Sequence, residues 1–244
     1  MNSDFVVCFL FSGDHLELVR RCLEPWCVRA PGSGGWSPEI RIGLNDCSKD
    51  VRAYADEHFQ QGRISHVASA KPNIYKYPMM RRLLYDKPLN KPFVIWFDQD
   101  TYLPEPRDPN SFMGAMFEWL MHYDVVGHIR SIPINSQLRN WMLTQPWQNT
   151  AAAAADVVRY PVGDWWAART LTIKEFDWPS PALAQYGGDV MLGLQLHALG
   201  RKIVDYPHVR TAAHDPLMET GDVATKLTSL PQLPVMPVRR LLDL

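Results

Sequence analysis

Two short, almost wholly apolar runs constrain this chain more than any other feature: Phe5–Phe11 (FVVCFLF) and Pro92–Phe97 (PFVIWF). Runs of this length rich in Val, Ile and Phe are short for a buried helix. They read as strands covered on both faces, as in a parallel sheet with helices above and below it. The residues between them keep to that pattern. Asp14 opens a helix with Glu17 three positions on, a capping box, and Leu16, Val19, Leu23 and Trp26 give it one apolar face. After the loop Pro31–Gly35 (PGSGG), Glu39–Leu44 (EIRIGL) reads as a second strand. A helix from about Ser48 turns Val51, Tyr54, Ala55, His58 and Phe59 inward. Arg63–Ala68 is a weaker third strand, and a helix over Tyr77–Tyr85 leads into the fourth. Strands alternating with helices predict an α/β fold, Rossmann-like, with a central, mostly parallel sheet flanked by helices.

The second half is less regular. Ser111–Tyr123 reads as a helix, Asp124–Ile129 as a strand, and Ala151–Ala155 as a helix-forming run. Asp164–Arg169 reads as a strand, Asp189–Leu199 as a helix and Arg201–Asp205 as a last strand. Between about Asn135 and Arg169 no motif is legible. Pro231, Pro234 and Pro237 exclude a long helix before Pro237, so residues 229–244 are expected to form an extended arm. No repeat or clean linker divides the chain, and its 244 residues are expected to form one domain over 1–228 followed by that arm.

Composition removes several classes. Hydrophobic residues at 46% and charged residues at 21% exclude disorder. A formal net charge of -1 supplies no global field for gripping nucleic acid, although a local patch stays open. Cys8, Cys22, Cys27 and Cys47 form no Cys-x-x-Cys pair and read as buried thiols of a reducing compartment. The apolar start is short, follows Asp4 and lacks a basic segment, which argues against a signal peptide. No run approaches the roughly 18 apolar residues of a membrane span, so a soluble, cytoplasmic protein is expected.

The chemistry concentrates at Asp98-Gln99-Asp100, directly after the fourth strand. Ligands of α/β sheets bind beyond the carboxyl ends of the strands. Two carboxylates at i and i+2 on a turning chain can converge on one hard divalent cation, which prefers oxygen ligands. Such a cation bridges diphosphate oxygens and neutralises charge as it leaves. At this point the chain resembles the glycosyltransferases of the GT-A fold, especially the inverting, family 2-like enzymes, over about residues 4–215. Ser12–Asp14 (SGD) and Leu18–Trp26 (LVRRCLEPW) are similar to that family's first strand end and helix. Leu44–Asp50 (LNDCSKD) resembles its acidic strand end, which makes Asp46, with Asn45, the candidate reader of the donor's base. FDQD matches its metal and diphosphate motif, and Gly163–Thr170 (GDWWAART) its acceptor-side segment. Gly187–Ile203 (GGDVMLGLQLHALGRKI) resembles its Glu-Asp helix start and Gly-Arg-Lys turn; Asp189 takes the place of the general base, and Gly188 departs from the usual Glu.

The resemblance implies a GT-A fold that transfers a sugar from a nucleotide-diphosphate sugar, a UDP-sugar by that likeness, to a hydroxyl acceptor with inversion. Residues of about 1–105 would form the nucleotide-sugar half and about 106–228 the acceptor half. Asp98 and Asp100, with His214 as a late ligand, would hold Mn2+ or Mg2+. Ser12, Asn45, Asp46, Arg81, Asp98 and Gln99 would line the donor, Arg81 being taken from the basic trio Lys76, Arg81 and Arg82. Gly188 and one of Trp165 and Trp166 would face the acceptor, since adjacent strand residues point to opposite faces. The acceptor itself stays open among a glycan, a protein, a metabolite and a modified nucleobase in DNA. Two rival readings exist. In a haloacid dehalogenase-like phosphatase Asp98 would be a nucleophile and Asp100 an acid-base, with Lys174 and Gly187–Asp189 pressed into later motifs. The other rival is a binding module that keeps the nucleotide-sugar fold without turnover.

Overall fold

The computed structural model describes residues 4–27, 36–103, 108–145, 154–181, 183–185, 187–206 and 210–211. The loop at Pro31–Gly35, Ala151–Ala153, His214 and the arm 229–244 lie outside them.

The first half follows its sequence pattern closely. Strand β1 (Phe5–Gly13) leads to helix α1 (Leu16–Cys27), β2 (Glu39–Cys47), α2 (Lys49–Gln60), β3 (His66–Ala70), α3 (Lys76–Tyr85) and β4 (Phe93–Asp98). The Ser48 hydroxyl caps α2 by accepting from the Val51 N–H. Val51, Ala55 and His58 are its buried stripe, while Phe59 falls beyond the edge of that stripe and is 47% exposed. The third strand starts later than expected because the Arg63 N–H is still donating to the His58 carbonyl at the end of α2.

The second half adds β5 (Thr101–Tyr102), α4 (Pro109–Leu120), β6 (Val125–Pro133), α5 (Ser136–Leu143) and β7 (Val157–Arg169). It ends with α6 (Thr170–Glu175), α7 (Gly188–Ala198), β8 (Ile203–Asp205) and β9 (Arg210–Thr211). Seven strands form one sheet in the order β3-β2-β1-β4-β7-β6-β8. All its pairings are parallel except those of β7, which runs antiparallel to both β4 and β6. A mixed sheet thus replaces the wholly alternating pattern of the first half.

Strand alternation sorts the core into two layers. Val6, Cys8, Leu10, Val94, Trp96 and Trp166 face α3, α5, α6 and α7. Phe5, Val7, Phe9, Phe11, Phe97 and Trp165 face α1, α2 and α4. Both faces of β1 and β4 are therefore buried, as their unbroken apolar runs require. The four cysteines are buried; burial pushes the Cys8 and Cys27 thiols up to about 12 and the Cys47 thiol to about 11, which makes them poor nucleophiles. Among the described residues no helix is long and apolar enough to cross a membrane.

Candidate active site

The strand register builds the site. Ser12 on β1 pairs with Asn45 on β2, and Leu10 with Asp98 on β4, so three parallel strands end in one row. A cleft of about 180 Å3 opens there, between the row and the side chains of Asn73, Lys76, Asp100 and Gln185. Next to Lys76 lies an irregularity in β7. Between the pairs Gly127–Trp166 and Ile129–Pro161, the single residue His128 of β6 stands against Val162–Trp165 of β7. A bulge of this kind bends a strand and re-aims its side chains. Here it carries Gly163 and Asp164 past the end of β4, where the Gly163 carbonyl meets the Lys76 ammonium and Asp164 meets His128 and Thr101.

Lys76, the first residue of α3, sits at the centre. Its ammonium donates to Asp98 Oδ2 at 2.5 Å and to the Gly163 carbonyl at 2.6 Å. The other oxygen of Asp98 accepts from the Trp96 indole N–H at 2.8 Å. Burial still pushes the Asp98 carboxyl up to about 7, with Asp100 adding to the rise and Lys76 opposing it. Burial also raises Asp100, which has Asp164 as a charged neighbour. Desolvation works to lower Lys76, but the carboxylates of Asp98, Asp189 and Asp100 outweigh it and hold the ammonium above its ordinary value. Asp164 accepts from His128 at 3.0 Å and, through its carbonyl, from the Thr101 hydroxyl at 2.9 Å. That hydrogen bond raises His128. One ammonium with the three acidic neighbours Asp98, Asp189 and Asp100 leaves the surroundings of Lys76 short of positive charge.

That balance suits a divalent cation. Among the described residues no three His, Cys, Asp or Glu side chains converge as a metal cage. Asp98 and Asp100 nevertheless supply hard oxygens, and Mg2+ is commonly held by one or two carboxylates together with substrate phosphates. The residues present therefore fit such an ion.

The donor-side candidates divide. Gln99 and Ser12 form one rim: Gln99 Oε1 accepts from the Ser12 N–H at 2.8 Å and its hydroxyl at 3.1 Å. Asn45 lines the cleft but is 3% exposed, and its amide braces the approach to α3. It donates to Asn73 Oδ1 at 2.9 Å and the Tyr75 carbonyl at 3.1 Å, and accepts from the Ile74 N–H at 2.9 Å. Asp46, one residue on, is exposed in a left-handed turn with φ 59°. Arg81 is not in the cleft. Its guanidinium donates to the carbonyls of Asp177 and Pro179 at 3.1 and 2.8 Å and to the Asp177 carboxylate at 3.0 Å. Lys76, five residues earlier, is the member of the basic trio that reaches the site.

Asp189 lies in the first turn of α7, whose N-cap is Gly187 with φ 85°. It is thus not the cap residue, and its side chain serves another end. The Tyr77 hydroxyl donates to Asp189 Oδ1, and the Asp189 N–H donates back to the Tyr77 oxygen at 3.2 Å. Gly188 is buried against the Tyr77 ring, where a Cβ would stand 2.3 Å from Cζ; it packs the site and presents no face to an acceptor. The two tryptophans are a correction as well. Trp165 is 0% and Trp166 1% exposed, one in each core layer, so neither has a face to offer a sugar. Trp166 stacks on Trp96, the residue that holds Asp98.

No protein-family model matches the chain, and no curated protein matches it in sequence. Solved structures match its fold. TarS of S. aureus superposes with a TM-score of 0.52 at 13% identity, over 83% of this chain and 35% of that one. Mannosyltransferase PcManGT from Pyrobaculum calidifontis, in complex with GDP-Man and Mn2+, gives 0.52 at 10% identity over 85% and 55%. Glucosyl-3-phosphoglycerate synthase from Mycobacterium tuberculosis, in complex with Mn2+, UDP and phosphoglyceric acid, gives 0.53 at 14% identity over 93% and 74%. The chain spans only about a third of TarS and about half of PcManGT. Its fold is the GT-A fold. That sets aside the phosphatase reading, in which Asp98 would end the first strand of its domain; here it ends the fourth, β4.

Proposed function

We propose that the chain is a glycosyltransferase that moves a sugar from a nucleotide-diphosphate sugar, a UDP-sugar in the first instance, to an acceptor hydroxyl with inversion. The observation that carries this reading is that Asp98, Asp100 and Lys76 line one cleft at the carboxyl ends of the parallel strands of a GT-A sheet, with Asp189 close enough to act on the Lys76 charge. The solved GT-A structures that hold Mn2+ with UDP or GDP-Man support it.

Asp98 and Asp100 would hold Mn2+ or Mg2+, with His214, outside the described residues, as the proposed late ligand. A cation held there would supply charge neutralisation for the departing diphosphate. Ser12 and Gln99 form the donor rim, Asn45 fixes the wall on the base side, and exposed Asp46 is left to meet the base. Lys76 orients Asp98 through their ion pair. Asp189 takes the acceptor proton as the acceptor oxygen bonds the anomeric carbon and the carbon–phosphate oxygen bond breaks, its electron pair leaving on the nucleoside diphosphate. A positioned base contributes roughly 10²–10⁴-fold. The acceptor is a hydroxyl of a glycan, a protein, a metabolite or a modified nucleobase. The compartment is the cytoplasm, as four buried thiols suggest.

A thermal-shift screen of nucleoside diphosphates and nucleotide sugars, with and without Mn2+, tests the reading. The expected result is a rise in Tm with UDP or a UDP-sugar that requires metal, since a ligand of the native state stabilises it with the logarithm of its excess over Kd. Asp100→Ala is expected to remove metal-dependent turnover of the donor while the fold stays intact. A fully active Asp100→Ala protein, or no nucleotide response at all, refutes the assignment.

A further inference from the structure

We propose that Tyr77 is the positioning residue for the general base Asp189, an inference that rests on the transferase reading above. The phenol is fixed on every side. Its backbone N–H donates to the Ala184 carbonyl at 3.0 Å, and its ring is 2% exposed. The ring meets Trp178 edge-on at a centroid distance of 6.2 Å, and the Trp178 indole N–H in turn donates to the Gly188 carbonyl at 3.2 Å. The first turn of α7 is thereby locked to the ring of Tyr77. Gly188 makes this approach possible, since any Cβ there would lie 2.3 Å from Tyr77 Cζ.

The hydroxyl makes two contacts with the same residue. It donates to Asp189 Oδ1 and accepts from the Asp189 N–H, so the carboxylate is clamped in one orientation relative to its own backbone. In that orientation Oδ2 turns towards Gly163: a Cβ on Gly163 would stand 2.9 Å from Asp189 Oδ2 and 2.4 Å from the Lys76 ammonium. Gly163 is therefore the second residue whose lack of a side chain leaves room for the Asp189 carboxylate, here beside the Lys76 ammonium. Burial and the neighbouring carboxylate hold the Tyr77 phenol well above its ordinary range. Tyr77 keeps its proton and stays a donor throughout. The acceptor's proton goes to Asp189 Oδ2, the acceptor oxygen bonds the anomeric carbon, and the nucleoside diphosphate leaves with the electrons of the broken bond. A merely space-filling ring would need no hydroxyl; here the hydroxyl is the part in contact with Asp189.

The experiment measures donor hydrolysis, with water as acceptor, by the full chain with Mn2+ and either UDP-glucose or GDP-mannose. Wild type, Tyr77→Phe, Asp189→Asn and the double variant are compared for kcat, KM and Tm. Losing one hydrogen bond to a charged group is expected to lower kcat of Tyr77→Phe by about 10- to 100-fold. Its KM for the donor is expected to stay unchanged. The double variant is expected to fall no further than Asp189→Asn alone, because no carboxylate is left to position. A structural role would instead multiply the two losses and move KM and Tm together. Three results would overturn the proposal: Tyr77→Phe keeping full kcat while Asp189→Asn loses it, multiplicative losses in the double variant, or a wild type that hydrolyses neither donor. The last alone also removes the transferase reading, which separates the two failures.

Discussion

Lys76→Met puts the electrostatics of the cleft to a quantitative test that needs no substrate. The ammonium and Asp98 Oδ2 are 2.5 Å apart, and their side chains are only 13% and 23% exposed, so solvent screens them little. At an effective dielectric constant near 20, charges that close attract by about 7 kcal/mol. Desolvating the two ions costs several kcal/mol each, which cancels most of that gain. The pair as a whole is thus nearly neutral for stability. Removing one member is not, because it strands a buried carboxylate at a cost of about 3–5 kcal/mol.

The pH dependence follows from Asp98. Its carboxyl sits at about 7 in the fold, against an ordinary 3.8, even with Lys76 pulling it down. Without the ammonium it moves higher still. An acid raised by folding binds a proton more readily folded than unfolded, so its penalty is absent at low pH and full above the folded value. At pH 5 Asp98 is protonated with or without Lys76, and the variant's deficit is small. At pH 8 the wild type keeps a paired carboxylate, whereas the variant must strand one or take up a proton. Urea unfolding of wild type, Lys76→Met and Lys76→Met/Asp98→Asn at both pH values measures this. Proton uptake caps the added penalty at one pH unit above the Asp98 value, so the single variant is expected to lose about 1.4 kcal/mol more at pH 8 than at pH 5. The neutral double variant is expected to stay within about 1.5 kcal/mol of wild type at both, as isosteric neutral replacements do. Equal losses of the single variant at the two pH values, or none at pH 8, would refute the account.

Two further substitutions separate architecture from chemistry. Arg81→Met removes the donors to Asp177 and Pro179 and is expected to cost about 2–3 kcal/mol in urea unfolding. Its affinity for UDP with Mn2+, read by calorimetry, is expected to be unchanged; a tenfold loss would return Arg81 to the cleft. Asp108→Ala removes the cap of α4, which accepts from the N–H groups of Asn110 and Ser111 at 3.0 and 3.2 Å, for about 1 kcal/mol. The Ser111 hydroxyl and those N–H groups hold Asp108 below its ordinary 3.8, so the difference between wild type and variant is expected to shrink as pH falls below that value.

The layers of the fold were legible wherever burial is complete. Strands β1 and β4 are covered on both faces, so each reads as an unbroken apolar run. Helices α1 and α2 are covered on one face only, and their apolar residues recur at helical spacing. The direction of β7 was not legible. Trp165, Trp166, Ala167 and Ala168 look alike in sequence whether they pair parallel or antiparallel, and the pairing of Phe97 with Trp165 is a long-range fact. The first half of β7, Val157–Gly163, contains Pro161 and half-exposed residues, and carries no motif legible in sequence. Helix α5 was hidden in the same stretch, although Asn135 caps it through the Leu138 N–H at 2.8 Å.

The site divides along the same line. Asp98 and Asp100 could be named because they follow an apolar strand directly, and Asp189 because its helix start resembles that of the GT-A enzymes. Their partners could not, because those are set by three-dimensional closure. Lys76 is 22 residues from Asp98 and 87 from Gly163, and Tyr77 is 112 from Asp189. In sequence, Lys76 is one of three basic residues on a helix and Tyr77 one more apolar position. A signal did exist in the glycines. Gly163 and Gly188 interrupt segments otherwise rich in large residues, and a glycine inside a strand marks close approach by something else. What approaches them is the Lys76 ammonium and the Tyr77 ring. The tryptophans misled for the converse reason: aromatic rings beside a carboxylate suit a sugar face, but two adjacent on a central strand point into opposite core layers. In this chain the absent side chains, more than the large ones, locate the chemistry.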